Sequence, residues 1–372
     1  MSVLVTGGAG YIGSHAVHAL SDAGLQCVVL DDFSTGSPGL IPAAVPCCNG
    51  SAGDKKLVAS IIQRHGITAI MHFSGSTLVP ESIDHPLRYY ENNTAVSRSL
   101  IETAIDNGIR SFLFSSTAAV YGNPTKIPVS EDDATRPLSP YGRSKLMVEW
   151  ILRDATDAHG IQHVILRYFN VAGGDPRMRT GLSTPGATHL IKVAVEAALG
   201  KRKCFEIFGT DYETLDGTCI RDFIHVTDLA DAHMAALAYL RDGGKSATLN
   251  CGYGRGFSVR QVVEMVRCVS GCDFPVQLRS RRPGDIAVSI ADNAKIRRFL
   301  RWNPRFDDLE VIVRHALEWE RRLAASAEPT PSLVPGLEAA PTTAAVEPAR
   351  AGLMTAVGSD RAFSGRRRMK RS

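Results

Sequence analysis

The chain has 372 residues, 44% of them apolar and 22% charged, with a formal net charge of +4. That is enough apolar sequence for one large or two ordinary globular domains, and no run of eighteen apolar residues suggests a membrane span. A basic nucleic-acid binder is not indicated either: from residue 324 onward seven Lys or Arg face four acids, so the remainder carries only +1.

In chain order, SVLVT (2–6) reads as a buried strand, followed by a glycine-rich turn and a helical pattern from Tyr11 to Ala23. CVVLDD (27–32) reads as a second strand, and a short third one is expected near 44–48. A helix over 54–65, the strand TAIMHF (68–73), a helix over about 86–107 and the strand SFLFSS (111–116) come next. A helix beginning at Tyr141 and the strand HVILRYF (163–169) complete the series. Apolar strands alternating with helices indicate a parallel sheet covered on both faces, a doubly wound, Rossmann-like α/β domain over residues 1–170. Beyond Asn170 the pattern is irregular, with helices near 187–199, 228–241, 258–270 and 308–323, and residues 171–324 read as a smaller α+β substrate lobe. Residues 325–372, rich in Ala, Pro, Ser and Thr with Phe363 as their one aromatic, are expected to be a disordered tail ending in the basic GRRRMKRS.

Eight cysteines show no paired C-x-x-C spacing, so neither a metal site nor disulfides are indicated, and they read as small buried hydrophobes. The N-terminus enters VLVTGGAG without a basic segment and an apolar run, which points to a cytoplasmic protein. Neither a membrane nor nucleic acid is an expected partner; the basic end reads as a solvated terminus.

Three stretches can carry chemistry. TGGAGYIG places Gly7, Gly10 and Gly13 between a strand and a helix, where glycine lets the backbone turn tightly and aim helix N–H groups at a pyrophosphate. Asp31, eighteen residues beyond Gly13 at the end of the second strand, can accept bonds from an adenosine ribose and repel a 2′-phosphate, which favours NAD over NADP. LFSSTAAVYG sets Thr117 at a strand's C-terminal end, where it can bond a substrate oxygen or simply cap a turn. SPYGRSK puts Tyr141 and Lys145 on one helix face, as a catalytic pair or a solvated surface. A tyrosine base at pH 7 needs its pKa lowered by roughly three units, about 4 kcal/mol, much of which a buried ammonium can supply.

Together with HFSG, RYFNVAG, DGTCIRDFIHVTDLADAH and RRPGD, these motifs resemble the extended short-chain dehydrogenase/reductase superfamily and, within it, the UDP-glucose 4-epimerases, from residue 2 to about 320. The resemblance implies that Tyr141 and Lys145 are the catalytic pair, with Thr117 at the serine/threonine position. It implies that Gly7, Gly10, Tyr11, Ile12, Asp31, Phe73, Asn93 and Lys145 hold NAD. It places Asn170, Arg221, Arg282 and Asp285 on the diphosphate and ribose of a UDP-sugar, chemistry that suits arginine and aspartate. Ser289 falls at a position beside the hexose whose size is associated with sugar choice, and a small residue there leaves room for a C2 acetamido group. Two positions depart from the family: Ser51 stands where an aspartate meets the adenine, and Thr77 where a lysine is common.

The implied reaction is reversible 4-epimerisation of UDP-glucose and UDP-galactose by transient oxidation, with Tyr141 taking the C4 hydroxyl proton, Lys145 lowering the tyrosine pKa and UDP retaining the 4-keto sugar. UDP-N-acetylhexosamines or the UDP-xylose/arabinose pair remain open as substrates. A 4,6-dehydratase would carry an Asp-Glu pair after the threonine, where this chain has Ala118 and Ala119, and a non-catalytic NAD-binding regulator would lack the Tyr/Lys pair. By family analogy the partner is a second copy, packed through the helices near 86–107 and 141–159.

Overall fold

A computed structural model of the chain describes residues 1–282 and 284–327. The first half contains β1 (Ser2–Thr6), α1 (Tyr11–Asp22), β2 (Gln26–Asp31), β3 (Cys47–Asn49), α2 (Lys55–His65) and β4 (Ile67–His72). Next come α3 (Val79–Asp84), α4 (Pro86–Tyr89), a π-helical stretch over Tyr90–Ala95, α5 (Val96–Asp106), β5 (Ser111–Thr117), α6 (Pro140–His159) and β6 (Gln162–Tyr168). The single helix expected over 86–107 is thus interrupted by the π-helical stretch, a feature common at functional sites.

The second half contains β7 (Asn170–Ala172), α7 (Leu190–Ala198), β8 (Phe205–Phe208), β9 (Ile220–His225), α8 (Val226–Arg241), β10 (Ala247–Cys251) and β11 (Gly256–Ser258). It ends with α9 (Val259–Ser270), β12 (Val276–Arg279), β13 (Val288–Ser289), α10 (Ala294–Leu300) and α11 (Leu309–Ala327). The main sheet runs β10-β6-β5-β4-β1-β2-β3, all parallel.

The sheet is covered on both sides because the middles of its strands are apolar on both faces, the pleat sending alternate residues to opposite sides. Val3, Val5, Ala69, Met71, Leu113, Val164 and Leu166 pack with α1, α8 and the C-terminal helices. Leu4, Ile70, Phe112, Phe114 and Ile165 pack against α2, α5 and α6 on the other side. Strand order reverses between β1 and β4, so the crevice for a ligand opens beyond the C-terminal ends of those two strands.

The boundary expected at residue 170 does not divide the molecule. α8 packs on α1, and β10 pairs with β6 from Ala247↔Val164 to Cys251↔Tyr168, so the chain returns to the main sheet after starting the smaller lobe. Sequence reading missed this return because ATLNC is short and flanked by Gly- and Lys-containing loops. The smaller lobe keeps β9 at the centre of a sheet with β7, β11 and β13, plus the pair β8–β12. Residues 325–327, expected to belong to the tail, are the end of α11; the rest of that expected tail lies outside the described residues.

All eight cysteines are free, but only Cys27, Cys219 and Cys251 are buried. Cys47, Cys268 and Cys272 are exposed, so the expectation of uniformly buried thiols fails where an edge strand and a helix end face solvent. Among the described residues no helix is long and apolar enough to cross a membrane.

Candidate active site

The glycine turn sits at the point where strand order reverses. Gly7 has φ +71°, and a Cβ there would lie 2.6 Å from the Ser74 nitrogen, because the chain leaving β4 passes directly beside it. A Cβ on Gly13 would lie 2.1 Å from the Gly7 carbonyl oxygen, so the first turn of α1 can approach the loop only without one. Gly10 caps α1 without any side-chain hydrogen bond, leaving the first helical amides open toward the crevice. At the end of β2, Asp31 Oδ2 accepts from the Ala9 N–H at 2.8 Å and Oδ1 from the Phe33 N–H at 2.9 Å, which fixes the carboxylate beside the turn.

Two of the residues expected to hold NAD also tie the protein together through their side chains. The Tyr11 hydroxyl donates to the Gly173 carbonyl at 2.7 Å, tying α1 to the segment after β7, so what it turns to the glycine loop is its main chain. Asn93 is buried: Oδ1 accepts from the Ser76 N–H at 2.7 Å, while Nδ2 donates to the Ser76 carbonyl and to Ser144 Oγ, each at 3.0 Å. Its amide is thereby spent on shaping the loop after β4. Ile12 packs on the α1 side of the core, and the Phe73 ring lies 4.7 Å from that of His233.

Asn93 is also the end of a polar chain. Ser97 Oγ donates to the Asn93 carbonyl, so His72 Nε2 must donate to Ser97 Oγ (2.8 Å) and His72 Nδ1 accept from Thr6 Oγ1 (2.6 Å). Burial, with Lys145 nearby, lowers the His72 pKa to about 3, which keeps the ring neutral. From Asn93 the chain continues through Ser144, whose hydroxyl donates to the Tyr141 carbonyl at 2.8 Å.

The start of α6 is fixed locally. Ser139 caps it, its Oγ accepting from the Gly142 N–H at 3.2 Å, and Pro140 takes the first helical position. A Cβ on Gly142 would lie 2.8 Å from the Ala119 carbonyl oxygen, so glycine is what lets this turn approach the end of β5. Thr117 there does two things at once: its oxygen caps the turn Ala118–Val120, accepting from the Ala119 N–H at 3.1 Å, and it stands near enough to the Tyr141 hydroxyl to lower its pKa.

Tyr141 and Lys145 are both buried, at 9% and 4% exposure, which removes the solvated-surface reading. Burial lifts the Tyr141 pKa, and the nearby Thr117 hydroxyl opposes that. The expected lowering by Lys145 is not what governs Tyr141 here: the ammonium is itself desolvated, its pKa pulled down by burial to about 8. Lys145 lies 5.0 Å from the centroid of the Phe114 ring, and no carboxylate pairs with it among the described residues. A partnerless buried ammonium beside an open helix N-terminus and a fixed carboxylate fits the expected dinucleotide: Lys145 for a ribose hydroxyl, the α1 amides for the pyrophosphate, Asp31 for the adenosine ribose.

Across the cleft, Arg221 and Arg282 both act on Asp285; partial desolvation raises its carboxyl pKa and the two guanidiniums oppose that. Arg282 also stacks 3.5 Å from the Phe208 ring centroid. Asn170 is exposed at the start of β7, which is paired with β9. Ser289 is buried and stands opposite Arg221 in the β13–β9 register, so their side chains share one face of that sheet. Ser51 is exposed, its hydroxyl accepting from the Gly53 N–H at 3.1 Å, and Thr77 is exposed on the loop after β4.

The family profile of the "NAD dependent epimerase/dehydratase family" matches residues 3–252. The chain belongs to that family. Over 324 residues it is 57% identical to the UDP-glucose 4-epimerase of Azospirillum brasilense, covering 87% of this chain and 93% of the relative. Among solved structures it is similar to the Brucella ovis UDP-glucose 4-epimerase in complex with NAD, with TM-score 0.83, 39% identity and coverage of 85% and 97%. It is also similar to the UDP-Glc/GlcNAc 4-epimerase of Campylobacter jejuni, with TM-score 0.76, 48% identity and coverage of 86% and 99%.

Several site residues escaped the sequence reading of this family member. Glu149 repeats the four-residue spacing of Tyr141 and Lys145 and is buried beneath them, a signal that was available. Tyr168, opposite Thr117 in the β5–β6 register and close enough to Tyr141 to feel its charge, stands at a strand end, where ligands bind. His72 lies inside HFSG, but its role depends on partners from two other elements, Thr6 on β1 and Ser97 on α5.

Proposed function

We propose that this protein interconverts the C4 epimers of a UDP-hexose, UDP-glucose and UDP-galactose first, with NAD as its resident cofactor. The observation that carries the reading is the burial of Thr117 at the end of β5 together with Tyr141 and Lys145 one helical turn apart on α6, the ammonium having no carboxylate partner among the described residues. NAD, when bound, supplies the acceptor and donor of the C4 hydride and undergoes no net redox change. The chain's own part is proton handling and retention. Thr117 and Tyr141 grip the C4 hydroxyl, Tyr141 takes its proton, and the same tyrosine returns it after the 4-keto sugar has turned over. Arg221, Arg282, Asp285 and Asn170 hold the UDP, so the sugar can rotate without leaving. A dehydratase reading is not favoured, because Ala118 and Ala119 in the turn after Thr117 have no acid to offer.

Sugar choice is assigned to Ser289. Its small side chain next to Arg221 leaves space where a tyrosine would crowd a C2 acetamido group, an overlap that costs roughly 1–3 kcal/mol. The expected result is conversion of UDP-galactose to UDP-glucose together with appreciable 4-epimerisation of UDP-N-acetylglucosamine, followed by NMR. In Ser289→Tyr the N-acetyl activity is expected to fall selectively. No conversion of any UDP-sugar by the NAD-replete protein would remove the function, and an unchanged kcat/KM ratio in the variant would remove Ser289 alone.

The proposal includes a homodimer. α3 and α4 pack beside α6, and on these neighbouring helices Ile83, Leu87 and Trp150 are 49%, 79% and 50% exposed, an apolar face that suits a second copy. Light scattering is expected to give the mass of two chains, falling toward one in Leu87→Asp. A monomeric wild-type protein would refute the pairing.

A further inference from the structure

We propose that Glu149, acting through Ser116, is a positioning residue that holds Thr117 against Tyr141; the inference rests on Tyr141 being the proton acceptor. Tyr141, Lys145 and Glu149 recur every four residues on one face of α6. The first two reach the cleft, and the third lies fully buried below them. Glu149 Oε1 accepts from Ser116 Oγ at 2.5 Å and from Arg167 Nε at 2.9 Å, and Oε2 accepts from Arg167 Nη2 at 2.6 Å. Arg153, half-exposed, adds a bond to Oε2 at 3.2 Å. Arg167 is 2% exposed; its Nη1 donates to the Tyr121 hydroxyl at 2.9 Å, which in turn donates to Asn250 Oδ1 at 2.6 Å. The network therefore joins α6 to β5, β6 and β10.

Ser116 and Arg167 face each other in the β5–β6 register, as do Thr117 and Tyr168 one step further on. Both members of the first pair converge on Glu149, so the carboxylate sets how far the last residues of β5 stand from α6. Thr117 is the next residue after Ser116, and its hydroxyl meets Tyr141 two helical turns before Glu149. A buried ion pair is not in itself a gain in stability, since apolar side chains of similar volume often replace one without loss. A bidentate arginine alone would also satisfy the carboxylate. The additional bond to Ser116 is what links the pair to the reacting end of the strand.

Ser116→Ala removes that link and leaves the ion pair in place. The expected result is a small change in melting temperature, unchanged NAD content and KM for UDP-galactose, and a kcat lower by roughly 10- to 100-fold, the scale set by misplacing reacting groups. The titratable and polar groups acting on Tyr141 are Thr117 from β5 and Tyr168 from β6, while the Tyr89 ring of α4 packs edge-on against its ring. Loosening Thr117 weakens its lowering effect on the tyrosine pKa, so the acid limb of the kcat–pH profile is expected to move to higher pH.

A second readout does not depend on turnover. The tyrosinate absorbance that Tyr141→Phe deletes from the titration of the protein is expected to appear at higher pH in Ser116→Ala. The double variant Glu149→Leu, Arg167→Met, which removes both buried charges together, is expected to fold and to show the same kcat loss and the same titration shift. Ser116→Ala with wild-type kcat and an unmoved Tyr141 titration would overturn the inference, as would a kcat loss matched by losses of NAD and melting temperature with no titration shift. Absence of epimerisation by the wild type would instead strike the function, because the titration still reads the Ser116 contact.

Discussion

Replacing Tyr141 with phenylalanine is expected to lower turnover of UDP-galactose by roughly 10²- to 10⁴-fold, the range for loss of a general base, while fold and NAD content stay close to wild type. Phenylalanine keeps the ring, which packs edge-on against Tyr89 with centroids 6.4 Å apart, so the first turn of α6 has no reason to move. What is lost is the hydroxyl beside Thr117. The pH dependence follows from the same group. Burial makes the phenol hard to ionise, so the reactive phenolate fraction and the rate are expected to rise with pH on the acid side, until cations in the loaded site no longer limit it. Steady-state rates with a parallel measurement of NAD released on denaturation separate the two effects. Tyr141→Phe with most of the wild-type rate would take the tyrosine out of the chemistry.

The parts of the site legible in the sequence are those whose residues lie within one short segment. The glycine turn is readable because a strand, three glycines and a helix follow one another, and the steric need at Gly13 arises within the loop, against Gly7 and Gly8, although that at Gly7 comes from the chain leaving β4. Tyr141 and Lys145 are readable because helical spacing alone puts them on one face. The Ser116–Glu149–Arg167 contact was not, since its members come from β5, α6 and β6 and nothing local to any of them predicts burial of a charge. Asn93 was expected among the NAD-holding positions by resemblance; only tertiary structure shows that its amide also ties Ser76 to Ser144. The same limit explains the fold. Continuous apolar strands disclose a parallel sheet, but the position of β10 at its edge depends on α8 first crossing back over α1, a long-range event that a five-residue segment cannot announce.

Replacing Lys145 with methionine is expected to abolish turnover and yet raise the melting temperature of the NAD-free protein. The ammonium is 4% exposed, lacks a carboxylate partner and rests over the Phe114 ring, so folding strips its water without a compensating ion pair. Burial lowers its pKa from 10.5 to about 8, a shift that corresponds to a cost of at most about 3 kcal/mol while the group is charged. The folded state thus gives up the proton more readily than the unfolded chain, which binds more protons between pH 8 and 10.5. Stability therefore rises with pH across that window, and below pH 8 the full cost is carried. Methionine has a similar unbranched length and makes favourable sulfur–ring contacts, so it fills the site over Phe114 without a charge. The gain in melting temperature is expected to be several degrees at pH 7 and to shrink as pH approaches 10. Both proteins must be compared without NAD, because cofactor bound only to wild type would stabilise it by mass action. With NAD present the order is expected to narrow or reverse, since Lys145 then acquires the partner it lacks. A methionine variant that melts below the wild type without NAD, or a difference that does not vary between pH 7 and 10, would show that Lys145 carries no such cost.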